Sequence, residues 1–345
     1  MPSGPEPIQP PVTAAFDAGW LDVGHGHRIR YEQAGAADGM PIVLLHGGPG
    51  SGSSARQREI ADPARWRIVQ FDQRGSGLST PAGETAHNHT DALIADIEAL
   101  RAALGIERWL VAGGSWGASL ALAYAARHRA RVSGVLLRGT FLTGRADLDW
   151  FFHGAAAFAP EAHATFLRVV PRRWHRNIVD WLDRSFARGD PRCGEIAAAW
   201  QAYETVLSGD VPSTSQAQPA VPADGNVAAR LVAKYRVQAH YLARKCFLGE
   251  AAVLRAANAL RGVPVAIVHG ERDLVCRPEK AWRVHRTCAQ RAHAGEPTLA
   301  CDCAGGQHHR VRRRQVVATA ARYGEQYQWH QIQRRHDPVA RAAAP

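Results

Sequence analysis

The stretch Arg108-Trp109-Leu110-Val111-Ala112-Gly113-Gly114-Ser115-Trp116-Gly117-Ala118-Ser119-Leu120-Ala121-Leu122-Ala123-Tyr124-Ala125-Ala126 decides the architecture of this chain. An apolar, strand-like run enters a G-x-S-x-G pentapeptide, and an alanine- and leucine-rich, helix-like run leaves it. A serine at such a strand–turn–helix junction has its hydroxyl lifted above the sheet, which is where a nucleophile has to stand. A bend this sharp brings backbone against backbone, and Gly113 and Gly117 are the residues that tolerate the approach. The pentapeptide alone is no more than a Gly/Ser-rich turn. Its place between strand and helix is what makes Ser115 the expected nucleophile.

A serine is inert until a base takes its proton and donors receive the oxyanion. Upstream, the strand-like Pro41-Ile42-Val43-Leu44-Leu45 runs into His46-Gly47-Gly48-Pro49-Gly50. A loop of this type can aim backbone N–H groups at the carbonyl oxygen under attack. Gly48, in preference to Gly47, and Trp116, the residue after the nucleophile, are the expected oxyanion donors. His46 reads as a structural loop histidine. A phosphate cradle is disfavoured because no Gly-Lys-Ser/Thr follows.

The acid should follow the serine in sequence, and the base should follow the acid. Val263-Pro264-Val265-Ala266-Ile267-Val268-His269-Gly270 reads as a buried strand and is followed by Glu271-Arg272-Asp273. Asp273, just past the strand's end, is placed to orient an imidazole, and Glu271 is the fallback. A last strand, Pro297-Thr298-Leu299-Ala300-Cys301-Asp302-Cys303, precedes Ala304-Gly305-Gly306-Gln307-His308-His309. His308 is taken as the base over its neighbour His309. With seventeen histidines in the chain, order and placement single out this pair.

The chain has 345 residues, 46% hydrophobic residues and a net charge of +11, as expected of a folded α/β protein with an insertion. No apolar run reaches membrane-spanning length, and the N-terminus lacks the pattern of a signal peptide. A cytoplasmic protein without membrane contact is therefore expected. Among six cysteines, Cys301-Asp302-Cys303 has metal-like spacing but no second Cys/His pair at finger spacing, so no metal or other cofactor is expected. The positive charge is spread out and arginine-rich, as in Arg310-Val311-Arg312-Arg313-Arg314, with no helix-turn-helix or aromatic–basic platform. It reads as a solvated surface without a specific nucleic-acid partner.

Along the chain, 1–18 reads as a loose, proline-rich arm or edge lead-in. Strand-like and helix-like segments then alternate, including Trp66-Arg67-Ile68-Val69-Gln70-Phe71-Asp72, a helix over 90–104 with Thr90 as N-cap and Gly105 as its stop, and Val132-Ser133-Gly134-Val135-Leu136-Leu137-Arg138. Alternation of this kind implies a mostly parallel, doubly wound α/β sheet with its site at the strands' C-terminal edge. This is the α/β-hydrolase fold, with its core over 19–140 and 258–327. Between them, 141–257 carries many aromatics on helix-like segments and is expected to be an inserted helical cap. Residues 328–345 read as a basic tail.

Taken together, His46-Gly47-Gly48-Pro49-Gly50, Asp72-Gln73-Arg74-Gly75-Ser76-Gly77-Leu78-Ser79, Gly113-Gly114-Ser115-Trp116-Gly117, Leu137-Arg138-Gly139-Thr140-Phe141-Leu142 and His269-Gly270-Glu271-Arg272-Asp273-Leu274-Val275-Cys276 resemble the proline iminopeptidase (prolyl aminopeptidase) family of serine-type α/β hydrolases. The similarity runs over roughly 16–322. It implies release of an N-terminal proline from a small peptide or amino-acid amide through an acyl-enzyme, without metal, by a monomer or homodimer. In that family acidic cap residues bind the substrate's free amino terminus. Glu204 matches one of them, and the second falls at Gln238, where an amide keeps an acceptor but loses the charge. Cys276 matches a cysteine that the family places near the proline pocket. The resemblance implies inhibition by thiol reagents, against which stands a buried, inert thiol. Gln307 also departs from the family pattern, which has glycine before the base.

A related serine hydrolase without amino-terminal selectivity, cleaving esters or simple amides, is the rival reading that Gln238 keeps open. A non-catalytic hydrolase fold used for binding is a further one, disfavoured because serine, acid and histidine are all on hand.

Overall fold

The computed structural model describes residues 13–209 and 221–289 and the backbone of 298–303. Strands β1 (Ala15–Asp22), β2 (Arg28–Gly35), β3 (Met40–Leu45), β4 (Trp66–Phe71), β5 (Trp109–Gly114), β6 (Val132–Arg138), β7 (Val265–Gly270) and β8 (Thr298–Cys303) form one sheet. Its order is β1-β2-β4-β3-β5-β6-β7-β8. β1 pairs with β2, and β2 with β4, antiparallel; from β4 through β8 every pairing is parallel.

Successive residues of the central strands feed opposite faces. Val43, Leu45, Val111 and Leu137 join one apolar cluster, while Ile42, Leu44, Ala112 and Leu136 join the other. Burial on both faces is why β3 reads as a continuous apolar run rather than an alternating one. Helices α1 (Thr90–Ala103), α2 (Trp116–Arg127), α8 (Gly249–Ala259) and α9 (Pro278–Ala289) belong to this core, with α8 packed on α2 and α9.

Helices α3 (Arg145–Phe152), α4 (Pro160–Leu167), α5 (Ile178–Arg188), α6 (Cys193–Ser208) and α7 (Gly225–Ala243) lie between β6 and α8. They pack on one another through Phe151, Phe152, Phe166, Trp200, Tyr203 and Tyr235, all buried. Phe158, by contrast, is 63% exposed. α7 crosses the loops at the strands' C-terminal edge: a Cβ on Gly50 would meet the Lys234 carbonyl at 2.3 Å, and Tyr241 packs edge-on against Trp116 at 5.3 Å.

From Ala15 the chain pairs with β2 as an edge strand, joined to the sheet along that side alone. Two details differ from the sequence reading. The N-cap of α1 is His89, whose Nδ1 accepts the Ala92 N–H at 3.3 Å. Thr90 Oγ1 instead donates to the Cys246 carbonyl, so its hydroxyl ties α1 to the turn before α8. Lastly α8, although most of it falls within 141–257, packs as a core helix. A buried ammonium marks its junction with the overlying layer: Lys280 on α9, 1% exposed, lies 3.5 Å from Asp147 at the start of α3 and 3.6 Å from Glu250 on α8.

Candidate active site

Ser115 sits between β5 and α2 at φ 52°, ψ −119°, a conformation that side-chain-bearing residues avoid. Its N–H is held by the Arg138 carbonyl at 2.9 Å, and its carbonyl accepts from Ala118 at 3.0 Å. The bend depends on glycine: a Cβ on Gly117 would stand 2.2 Å from the Leu45 carbonyl oxygen. The first N–H groups of α2 have no intrahelical acceptor, so the Trp116 N–H is open to an incoming oxyanion at the helix's positive end.

The loop after β3 comes to the same point. A Cβ on Gly47 would lie 3.1 Å from Ser115 Cβ, and Gly48 has φ 45°, where a Cβ would stand 2.4 Å from Ser51 Oγ. His46 is fully buried. Its Nδ1–H donates to the Gly47 carbonyl at 2.9 Å and its Nε2 accepts the Gln73 N–H at 3.1 Å, a neutral, fully used imidazole. Burial holds its pKa below the usual histidine value, against a smaller upward pull from the Gly47 hydrogen bond and Asp72.

Asp273 follows β7. Its Oδ1 accepts the N–H groups of Val275 (2.9 Å) and Cys276 (2.8 Å), which fixes the carboxylate and leaves Oδ2 toward Gly139 at the end of β6. His269 braces the same turn. Its Nδ1 accepts the Thr140 N–H at 3.1 Å, which leaves the proton on Nε2 to donate to the Cys276 carbonyl at 2.6 Å. Glu271 is exposed. Cys276 links the Asp273 turn to the elbow, for its N–H bonds Asp273 and its Sγ lies 3.6 Å from Ser115 Oγ. Burial, then the Asp273 charge, push its thiol pKa far up, so the side chain is a neutral thiol beside the Ser115 hydroxyl.

Above these loops, Glu204 on α6 and Gln238 on α7 meet directly. Gln238 Nε2 donates to Glu204 Oε1 at 2.5 Å, and the Tyr235 hydroxyl donates to Glu204 Oε2 at 2.6 Å, with Lys234 Nζ 3.5 Å from the same oxygen. Burial and the Glu204 charge push the Tyr235 phenol well up, so it stays a donor. Gln238 Oε1 is buried, has no partner among the described residues, and would stand 3.5 Å from a Cβ on Gly48.

The structure thus brings Ser115, Gly48, Trp116, Asp273, Cys276, Glu204 and Gln238 to one edge of the sheet. His308 and His309 lie outside the described residues. Sequence reasoning assigned no role to Gln73, His269, Lys234 or Tyr235. Gln73 and His269 stand inside motifs that had been singled out, but their work is done through tertiary hydrogen bonds that no spacing reports. Among the described residues, no group of His, Cys, Asp and Glu could hold a metal ion, and no helix is long and apolar enough to cross a membrane.

This fold and this elbow define the class: a family model described as "alpha/beta hydrolase fold" matches residues 40–296. Among curated proteins, the proline iminopeptidase of Xylella fastidiosa (strain 9a5c) is 39% identical over 279 residues, which is 80% of this chain and 88% of that protein. The proline iminopeptidase of Arabidopsis thaliana is 37% identical over 284 residues, 81% of this chain and 72% of that protein. At the level of fold alone, the solved proline iminopeptidase of Mycobacterium smegmatis superposes with a TM-score of 0.57 at 19% identity, covering 90% of this chain and 98% of its own. The chain belongs to the proline iminopeptidase family of α/β hydrolases.

Proposed function

We propose that this chain is a serine aminopeptidase that releases N-terminal proline from small peptides or amino-acid amides through an acyl-enzyme. Ser115 Oγ attacks the carbonyl carbon of the N-terminal residue, and the N–H groups of Gly48 and Trp116 receive the oxyanion. His308 takes the serine proton and passes it to the leaving amine, then activates the water that hydrolyses the prolyl ester. Asp273, through Oδ2, holds the imidazole in the tautomer that can accept. In sequence, four residues, 304–307, stand between Cys303, the last residue of β8, and His308.

The observation that carries the reading is a pair of joined acceptors, the Glu204 carboxylate and the orphaned Gln238 carbonyl, the latter beside Gly48 of the loop after β3. A buried acceptor without a donor is costly, and a substrate's secondary ammonium supplies the donor and the countercharge together. With glutamine at 238, one formal negative charge serves the ammonium, and Lys234 already leans on it. That weakening is the specific reason for a second reading, an esterase or amidase indifferent to the amino terminus.

The two are separated by kcat/KM on proline p-nitroanilide and on its N-acetyl form. The aminopeptidase reading expects at least ~10-fold preference for the free amine, about what one desolvated charge-assisted hydrogen bond supplies. Equal rates would leave the esterase or amidase reading standing in its place.

A further inference from the structure

Two separate pieces of chain supply the oxyanion donors, the loop after β3 and the first turn of α2, and one side chain is bonded to both. Gln73, in the loop that follows β4, is 2% exposed. Its Oε1 accepts the indole N–H of Trp116 at 2.8 Å, and its Nε2 donates to the His46 carbonyl at 3.0 Å. Its backbone N–H donates to His46 Nε2 at 3.1 Å, and His46 Nδ1–H closes on the Gly47 carbonyl at 2.9 Å. The chain of bonds runs from Trp116 through Gln73 and His46 to Gly47, next to Gly48. Every side chain in it is buried, and each of these hydrogen bonds has ordinary length and a defined donor.

We propose that Gln73 is a positioning residue that locks the Gly48 and Trp116 N–H groups at a fixed separation, so that both reach the same oxyanion. This rests on the reading of Ser115 as nucleophile and of those N–H groups as its oxyanion donors. The position demands a side chain that accepts at one end and donates at the other. A carboxamide of this length does both, an ionised carboxylate cannot donate, and a thioether cannot donate and accepts only weakly. Packing alone does not set the separation. Gly47 and Gly117 are in van der Waals contact with the opposite loop, which limits approach but does not stop the loops from sliding past each other. Oxyanion donors act over a narrow range of distance, about 2.7–3.1 Å to where the charge develops. A displacement of about 1 Å costs on the order of 10²-fold in rate. Gln73 touches neither the nucleophile nor the substrate, so its loss acts on the transition state and spares binding.

The test compares wild type, Gln73→Met, which keeps the length and apolar volume, and Trp116→Phe, which removes the indole N–H but keeps the backbone donor. One readout is the second-order rate of phosphonylation by a fluorophosphonate, whose attack also builds negative charge on oxygen and needs no knowledge of the substrate. The other is kcat and KM on proline p-nitroanilide, per labelled site. We expect Gln73→Met to lower the labelling rate and kcat by ~10- to 100-fold with KM within ~3-fold, as lost transition-state positioning requires. Trp116→Phe should lose less, and the double variant should be no slower than Gln73→Met, because both substitutions cut one linkage. Wild-type kinetics per labelled site in Gln73→Met, equal effects on KM and kcat, or losses that multiply in the double variant would each overturn the assignment. Should Gln73→Met fail to fold, Trp116→Phe decides: an unchanged labelling rate there refutes the linkage. Absence of labelling in the wild type would instead defeat the serine reading on which this rests.

Discussion

Replacing Ser115 by glycine and by alanine separates the strain of the elbow from its chemistry, since both variants lack the hydroxyl. At φ 52°, ψ −119° a Cβ is held in a region that costs of order 1–3 kcal/mol, and only glycine is free of that cost. Glycine also loses more backbone entropy on folding, about 0.5–1 kcal/mol relative to alanine. The difference leaves Ser115→Gly more stable than Ser115→Ala by about 1.2 kcal/mol at mid-range and at most ~2.5 kcal/mol, the reverse of the order at an ordinary position. For a chain of 345 residues the entropy of unfolding is roughly 0.7 kcal/mol per kelvin. The predicted gap in melting temperature is therefore about 2 °C at mid-range and at most ~3.5 °C. It is readable by scanning calorimetry, and more securely as a shift in urea midpoint at constant slope. An alanine variant as stable as the glycine variant, or more so, would mean that the bend at 115 is not strained. The argument from the conformation to a raised nucleophile would then fail.

Other consequences are open to measurement. Glu204→Gln should cut kcat/KM on amine-bearing anilides by ~10-fold or more and leave acetylated ones within ~3-fold, since it removes the one formal negative charge of the subsite; parallel losses on both would refute the ammonium role. Arg74, 4% exposed, meets Asp96 through two bonds of 2.6 and 2.7 Å and fastens the loop carrying Gln73 onto α1. Arg74→Ala leaves that carboxylate buried and alone, so a cost of ~3–5 kcal/mol is expected from chemical denaturation; a loss below about 1 kcal/mol would contradict it. His46, whose folded-state pKa lies below 6.5 because of burial, binds its proton less readily folded than unfolded. Its contribution is fully present above that pH and is lost as the pH falls below it, by at most ~1.4 kcal/mol per pH unit. The urea midpoint should accordingly fall as the pH drops below about 6.5, with a shallower fall in His46→Gln; parallel curves for the two proteins would rule out this origin.

Much of this site was legible in the sequence for local reasons. The elbow announces itself because a buried parallel strand, a glycine-flanked serine and a small-residue helix are all short-range features, and each left its mark on consecutive residues. The position of the proposed acid was legible too, since Asp273 stands three residues beyond the apolar run of β7. What escaped was whatever depends on contacts between distant segments. Thr90 has the side chain of an N-cap, yet the Cys246 carbonyl, far along the chain, claims its hydroxyl and His89 caps the helix instead. Lys280 belongs to the residue type least often buried, and only the meeting of α3, α8 and α9 gives it three carboxylates within 3.6 Å. α8 has no sequence mark that separates it from the helices before it; its partners α2 and α9 define it. Gln73 carries no local mark of its role, because its two partners, His46 and Trp116, directly follow β3 and the Ser115 turn after β5.

The central claim is that one hydroxyl, that of Ser115, carries the reaction. It is tested most directly by treating the protein with a fluorophosphonate, following residual hydrolysis of proline p-nitroanilide and locating the adduct by peptide mass spectrometry. The account predicts a single phosphonyl group on the peptide containing Ser115, with activity lost in proportion to its occupancy and no adduct in Ser115→Ala. An adduct on another residue that abolishes activity, or full activity with Ser115 quantitatively modified, would contradict it.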